Sequence, residues 1–269
     1  MKERVAIVVP NYKEALSPAE AFSLHRLTEL YGNRPLFALL PEHAPEAAKA
    51  MPAQFQPLIF PFRTLLDYSS LLVSPRFYER FKDFEFILIH QLDVYLFSDQ
   101  LDRWCDRGFD YVGAPIFEGF QPLDPHGKMR WVGNGGFSLR RVESALRVLR
   151  SKRRYRTFGA SVREARASGL PRLAAWRKCL HRLTLVDNGV QAAVRASHHE
   201  DMFWATGAEH FYPPFRRPEV VQALGFAFEY APRYCFEMNG GRLPFGCHAW
   251  QKYEPEFWRE HIPFREEHA

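Results

Sequence analysis

Apolar and polar positions in this chain come in short alternating blocks. Val5 to Val9 is an unbroken apolar run closed by Pro10, which predicts a buried strand. SPAEAFSLHRLTELYG follows with helical spacing. Ser17 reads as its N-cap, Pro18 as the first helical position, Glu20 as the partner in a capping box and Gly32 as the stop. PLFALL and PLIFPF predict two more strands, with short helices near Leu65–Val73 and Pro75–Phe81. Phe86 to Ile89 is a fourth strand and FDYVGAP supplies another. Strands alternating with helices predict an α/β fold: a mainly parallel central sheet with helices on both faces.

The second half is less regular. WVGNGGFSLRR reads as a Gly-rich turn entering a strand, followed by a helix from about Val142 to Arg150. A basic segment comes next, expected as two helices broken at SGLP, and then HHEDMFWATG, an extended FAFEYAP and LPFGCHAW. No internal repeat and no flexible linker interrupts the pattern. One domain over residues 1–269 is expected, with a basic helical insertion at about 147–186.

One polar residue stands out against this pattern. In EFILIHQLDVYLFSD, Asp93 sits between two apolar runs, where an unpaired buried carboxylate would cost several kcal/mol. In a parallel sheet, ligands sit at the carboxyl ends of the strands, which is where Asp93 falls. Either it caps a turn or pairs with an arginine, or it holds a hard divalent cation, whose shell a substrate diphosphate can complete.

Composition narrows the classes. The chain of 269 residues is 46% hydrophobic and 25% charged, ordinary for a soluble globular protein. Its 15% aromatic share, with 24 Phe, fits a well-filled core or aromatic-walled clefts. No apolar run approaches the ~20 residues of a membrane span. MKERVAIVVPNYKE reads as a strand entering a turn rather than a signal peptide, so a cytoplasmic protein is expected. The cysteines (Cys105, Cys179, Cys235, Cys247) lack paired C-x-x-C spacing, which argues against zinc and redox motifs and for reduced, buried thiols.

Charge is unevenly spread. Arg147 to Arg182 holds twelve Lys or Arg against one acid, Glu164, so this span carries +11. The net charge is +5, which leaves −6 on the rest. Within the span, LPRLAAWRKCLHRLTL interleaves apolar residues with cations at roughly helical spacing. Such a segment is a solvated Arg-rich helix pair or a peripheral dock for an anionic membrane surface or a lipid-linked glycan. No nucleic-acid motif accompanies it, and nucleic-acid binding is not expected.

Three further motifs carry possible chemistry. GNGGF (Gly133 to Phe137) suggests positive φ values or close backbone approach, with N–H groups that could meet a diphosphate or a sugar hydroxyl. The alternative is a plain Gly-rich hairpin, and no Gly-Lys-Ser/Thr follows to make a P-loop. HHEDMFW places Glu200 and Asp201 together as helix caps or a general base, with Phe203 or Trp204 walling a cleft. FGCHAW offers His248, a structural imidazole or a metal ligand.

Taken in order, VAIVVPNYKE, the stretch from LLVSPRFYERF to FDYVGAP, VGNGGFSLR, HEDMFW and LPFGCHAW resemble a GT-A-type nucleotide-sugar glycosyltransferase. More narrowly, the chain resembles a bacterial glycosyltransferase-like family of unknown function. The resemblance implies a GT-A-like (Rossmann-like) fold and transfer of a sugar from a nucleoside-diphosphate sugar to a glycan or lipid-linked acceptor. It implies a Mn2+ or Mg2+ cofactor held by Asp93 and His248, and an inverting mechanism with Asp201 as base and Glu200 as the alternative. Where such enzymes carry Asp-x-Asp, this chain has Gln91-Leu92-Asp93. Pro10, Tyr12 and Glu14 match the segment that contacts the donor nucleotide, with Asp67, Tyr68 and Gln91 near it. Asn134, Gly135 and Gly136 would line the sugar pocket. The competing readings are a non-catalytic carbohydrate- or nucleotide-binding module on the same fold, and a nucleic-acid-binding protein using the basic segment.

Overall fold

In β1 (Glu3–Pro10), side chains alternate between two cores, so the whole strand is apolar. Val5, Ile7 and Val9 face one cluster with Leu24, Leu27 and Trp104, while Ala6 and Val8 face another with Tyr78, Val148 and Trp204. A computed structural model describes residues 2–118, 127–157, 188–197 and 199–265, with scattered positions between 159 and 177.

Around β1 lies a six-stranded sheet. β2 (Leu36–Pro41) and β3 (Phe55–Phe60) extend it on one side, and β4 (Phe84–His90) joins on the other, all four parallel. The sheet is completed beyond β4 by β9 (Phe137–Arg141) and then β6 (Tyr111–Gly113), with β9 antiparallel to both neighbours. The sheet is therefore mixed, though mostly parallel. β9 runs backwards because its chain enters from the Gly-rich turn, where Gly136 O accepts from Gln91 N at the end of β4.

Helices cover both faces. α1 (Pro18–Tyr31) and α4 (Leu101–Asp106) bury Leu24, Leu27, Leu101 and Trp104 on one. α2 (Leu65–Leu71), α3 (Pro75–Glu79) and α5 (Val142–Leu149) cover the other. α1 has the expected capping box between Ser17 and Glu20. Its stop differs in mechanism: Gly32 keeps a right-handed φ of −62°, and is glycine because a Cβ would press within 2.5 Å of Thr28 O.

Two small sheets complete the described fold. β7 (Pro115–Phe117) pairs with β8 (Met129–Val132). β5 (Val94–Leu96), β11 (Gly246–His248) and β10 (Ala227–Phe228) form a three-stranded sheet, β11 lying antiparallel to β5 and parallel to β10. FAFEYAP thus contributes only two paired residues, because Ala231 turns left-handed (φ 46°) to start the helix Pro232–Met238. Of the insertion expected at about 147–186, the part from 158 on is described only at scattered positions, and Ser168 to Leu170 of the expected break at SGLP, with Cys179, lie outside the described residues. Cys105, Cys235 and Cys247 are free and buried. Among the described residues no helix is long and apolar enough to cross a membrane.

Candidate functional site

The strand order places a switch point between β1 and β4. From β1 the chain builds outward to β2 and β3, then returns to lay β4 on the other side. Loops leaving β1 and β4 therefore diverge, and a crevice must open between them at their carboxyl ends. A crevice of about 560 Å³ lies there, lined by Pro10, Asn11, Tyr12 and Lys13 after β1 and by Gln91, Leu92 and Asp93 after β4. Phe62, Arg63, Leu65 and Tyr68 form its far wall. Tyr12 is 67% exposed, its ring at the mouth within 5.9 Å of Lys13 Nζ.

At the inner end of the crevice, three strands distant in sequence bring acids and an imidazole into one row. His248 pairs across from Val94, beside Asp93, and Phe228 pairs with Cys247, which sets Glu229 on the other flank. His248 Nε2 lies 3.2 Å from Asp93 Oδ1 and 3.0 Å from Gln91 Oε1, while Nδ1 lies 2.9 Å from Glu229 Oε1. Burial pulls the imidazole down, but the Glu229 and Asp93 carboxylates outweigh it and raise His248 to about 10. Burial likewise raises Asp93, and the hydrogen bond and charge of His248 reverse that, holding it below its ordinary value. His90, fully buried one turn back, is held down to about 3 by desolvation and stays neutral.

The Gly-rich turn closes the site from above. Asn134 Oδ1 accepts from the N–H groups of Gly136 (2.7 Å) and Phe137 (2.9 Å), and its amide donates to Glu229. Those N–H groups are thus unavailable to a diphosphate, contrary to the expectation for this turn. The left-handed φ there belongs to Asn134 (148°), not to a glycine. Gly135 and Gly136 are required by space: a Cβ on Gly135 would collide with Glu200 Oε1, and one on Gly136 with the His248 ring. Gly136→Ala is accordingly expected to cost about 1–3 kcal/mol by overpacking and to swing His248 away from Asp93, which denaturant unfolding checks.

Below the turn lies a buried ion pair. Arg140 is 1% exposed and Glu200 5%, with Nη2–Oε1 at 3.0 Å and Nη1–Oε2 at 3.1 Å. This gives Glu200 a task other than the alternative base of the sequence expectation: both oxygens are spent on Arg140, under the backbone of Gly135. Asp201 is half-buried beside it, near the main chain of Gly133 and within electrostatic reach of Glu229. Burial raises its carboxyl above the ordinary value. Its helix, Glu200–Met202, runs on through a π-helical turn, Phe203–Gly207. That turn carries Phe203 and Trp204 into the core against Tyr78 and Tyr111, so neither walls the cleft.

The other expected donor residues divide. Pro10, Tyr12, Tyr68 and Gln91 line the crevice, whereas Glu14 is exposed and outside its lining. Asp67 accepts from the N–H groups of Arg63 and Thr64 at 3.0 Å, capping α2, and also lies outside the lining. Asn134 is buried and spends its side chain inward. The sequence reading does not single out Glu229 or Arg140. Glu229 had the signal that marks Asp93, a carboxylate inside an apolar run (FAFEYAP); Arg140 in FSLRR had none.

The donor chemistry can be tested for a divalent cation. Among the described residues no three His, Cys, Asp or Glu side chains form a metal cluster. With an amide oxygen counted, Asp93 Oδ1 and Gln91 Oε1 both lie against His248 Nε2, which holds a proton between them and must give it up to ligate a cation. Their separations of 3.0 and 3.2 Å match adjacent corners of an octahedron with bonds of about 2.1 Å. Once Nε2 is deprotonated, two oxygens and one imidazole nitrogen are donors of the kind that Mn2+ or Mg2+ accepts.

A family model described as "Protein of unknown function (DUF5672)" matches residues 53–248. No curated protein matches the chain at a significant level. Solved structures similar to it include mouse xyloside xylosyltransferase 1 in its apo form, at 11% identity and TM-score 0.40, covering 91% of this chain and 97% of that one. Another is the bifunctional IspDF from Campylobacter jejuni, at 10% identity and TM-score 0.36 over 55% of this chain, which spans 43% of that protein's length. A197 from STIV is similar at 13% identity and TM-score 0.29, over 53% of this chain and 66% of that one.

Proposed function

This chain belongs to the DUF5672 family of proteins of unknown function, and from the geometry of its cleft we propose that it is a nucleotide-sugar glycosyltransferase on a GT-A-like plan. The observation that carries the reading is the crevice between β1 and β4, which ends at the Asp93–His248 pair under the Gly-rich turn. Its volume is that of a small-ligand pocket, and its lining comes from the loops that diverge after β1 and β4.

Tyr12 at the mouth would stack on the base, with Arg63 supplying positive charge along the lining, where Lys13 is paired with Glu20 (2.6 Å). Asp93 and His248, with the Gln91 amide oxygen, would hold a divalent cation, which when bound offsets the charge of a diphosphate leaving group. The sugar then lies against Gly135 and Gly136. Asp201, across the turn, would take the proton of the acceptor hydroxyl as that oxygen bonds to the anomeric carbon and the bond to the diphosphate breaks. Burial suits it to the task, since a raised carboxyl is a stronger base. The acceptor would be a glycan or a lipid-linked glycan. The basic segment that could bring the protein to an anionic membrane lies largely outside the described residues.

Thermal shift with nucleoside diphosphates and nucleotide sugars, with and without Mn2+, tests the reading. A ligand at 100 times its Kd adds about 2.7 kcal/mol, which raises Tm by several degrees. One nucleotide class should stabilise the protein, more strongly with Mn2+, and its sugar should be released slowly to water. Stabilisation without any sugar release or transfer would favour a binding module on the same fold. No stabilisation by any of them would overturn the proposal.

A further inference from the structure

Glu229 touches His248 on the side away from the crevice, and its chemistry decides what His248 presents to the crevice. An ionised carboxylate only accepts hydrogen bonds, so with Glu229 Oε1 2.9 Å away, His248 Nδ1 must carry hydrogen. When the imidazole gives up one proton to a cation, the hydrogen held by Glu229 stays on Nδ1 and the lone pair is left on Nε2. Nε2 is the nitrogen that faces Asp93 and Gln91.

Asn134 makes this arrangement one-sided. Its Oδ1 is committed to the N–H groups of Gly136 and Phe137, so its amide nitrogen must face Glu229 and His248. That nitrogen donates to Glu229 Oε2; at 3.2 Å from Nδ1 it meets another donor and cannot bond there. The positive φ of Asn134 (148°) is retained by this set of bonds. Glu229 is thereby held with one oxygen on the Asn134 amide and the other on the imidazole.

We infer that Glu229, steered by Asn134, is a positioning residue that keeps the His248 proton on Nδ1, so that Nε2 is the nitrogen free to ligate beside Asp93 and Gln91, and so sets the affinity for a divalent cation. The inference rests on the cation site of the proposed function. A carboxylate on the distal nitrogen of a metal-bound histidine typically governs 10- to 100-fold in metal affinity.

Titration of the full chain with Mn2+, followed by the electron paramagnetic resonance of free Mn2+, provides the test. Glu229→Gln can turn its NH2 toward Nδ1 and release the tautomer; it should bind Mn2+ about 10- to 100-fold more weakly. Glu229→Asp keeps an acceptor and should recover part of the loss. Spin-echo coupling to an imidazole nitrogen should be seen with wild type and Glu229→Asp and vanish with Glu229→Gln at matched occupancy. Metal-free affinity for the nucleoside diphosphate that best stabilises the wild type, and the denaturant midpoint, should be the same in all three, which a merely misfolded variant would not show. Equal Mn2+ affinity in wild type and Glu229→Gln overturns the inference and leaves the cation site standing. No Mn2+ binding by the wild type overturns both the inference and the cation part of the proposed function.

Discussion

Replacing Arg140 by methionine is expected to destabilise the protein by about 3–5 kcal/mol, because it leaves the Glu200 carboxylate buried without a counter-charge. Against a typical total of about 5–15 kcal/mol, this is close to unfolding. Arg140 also donates to Tyr78 Oη (3.2 Å) and Ser138 Oγ (3.0 Å), so the truncation strips partners from two further buried hydroxyls. The charge is nevertheless the larger cause. Arg140→Met with Glu200→Gln should therefore recover much of the loss, and denaturant unfolding of the two variants measures it. A double variant as unstable as the single one would assign the cost to packing.

The pH dependence has a definite sign. Burial pushes the Glu200 carboxyl up, and Arg140 opposes that rise. Without Arg140 the folded-state value climbs further. A group raised in the folded state contributes stability fully below its ordinary value and loses it as pH rises through the folded value. The deficit of Arg140→Met should thus be smallest in acid and grow toward alkaline pH.

Asp201→Asn is expected to lower turnover by roughly 100-fold or more while leaving donor affinity nearly unchanged, as loss of a general base should. The amide keeps the size of the carboxylate and can still accept from Met202 N, so the helix start survives. In the wild type, a base acts only when ionised, and burial raises Asp201 above the ordinary carboxylate value. The acid limb of the rate profile should therefore lie at higher pH than for an exposed aspartate, and disappear in the variant. Full activity in Asp201→Asn would move the base elsewhere, and weakened donor binding would tie Asp201 to the cation instead.

Local pattern decided much of the fold. Apolar runs such as Val5–Val9 and Phe86–Ile89 became strands because they can bury both faces, and Ser17 with Glu20 started α1 because their side chains satisfy its free N–H groups. Strands alternating with helices made a mostly parallel sheet, and with it a site at the carboxyl ends, which is where Asp93 lies. These are consequences of residues close in sequence. What the tertiary structure alone decided is which distant residues meet. The reversal of β9 brings Gly136 to Gln91, and the pairing of β5, β11 and β10 lines up Asp93, His248 and Glu229 across gaps of 155 and 19 residues in the numbering. Register across such gaps is set by the packing of whole strands, so no short stretch encodes it. The same holds for Arg140 and Glu200: nothing local marks Arg140, and Glu200 reads as a helix cap or a base, until the Gly-rich turn closes over them and leaves each the other's buried counter-ion.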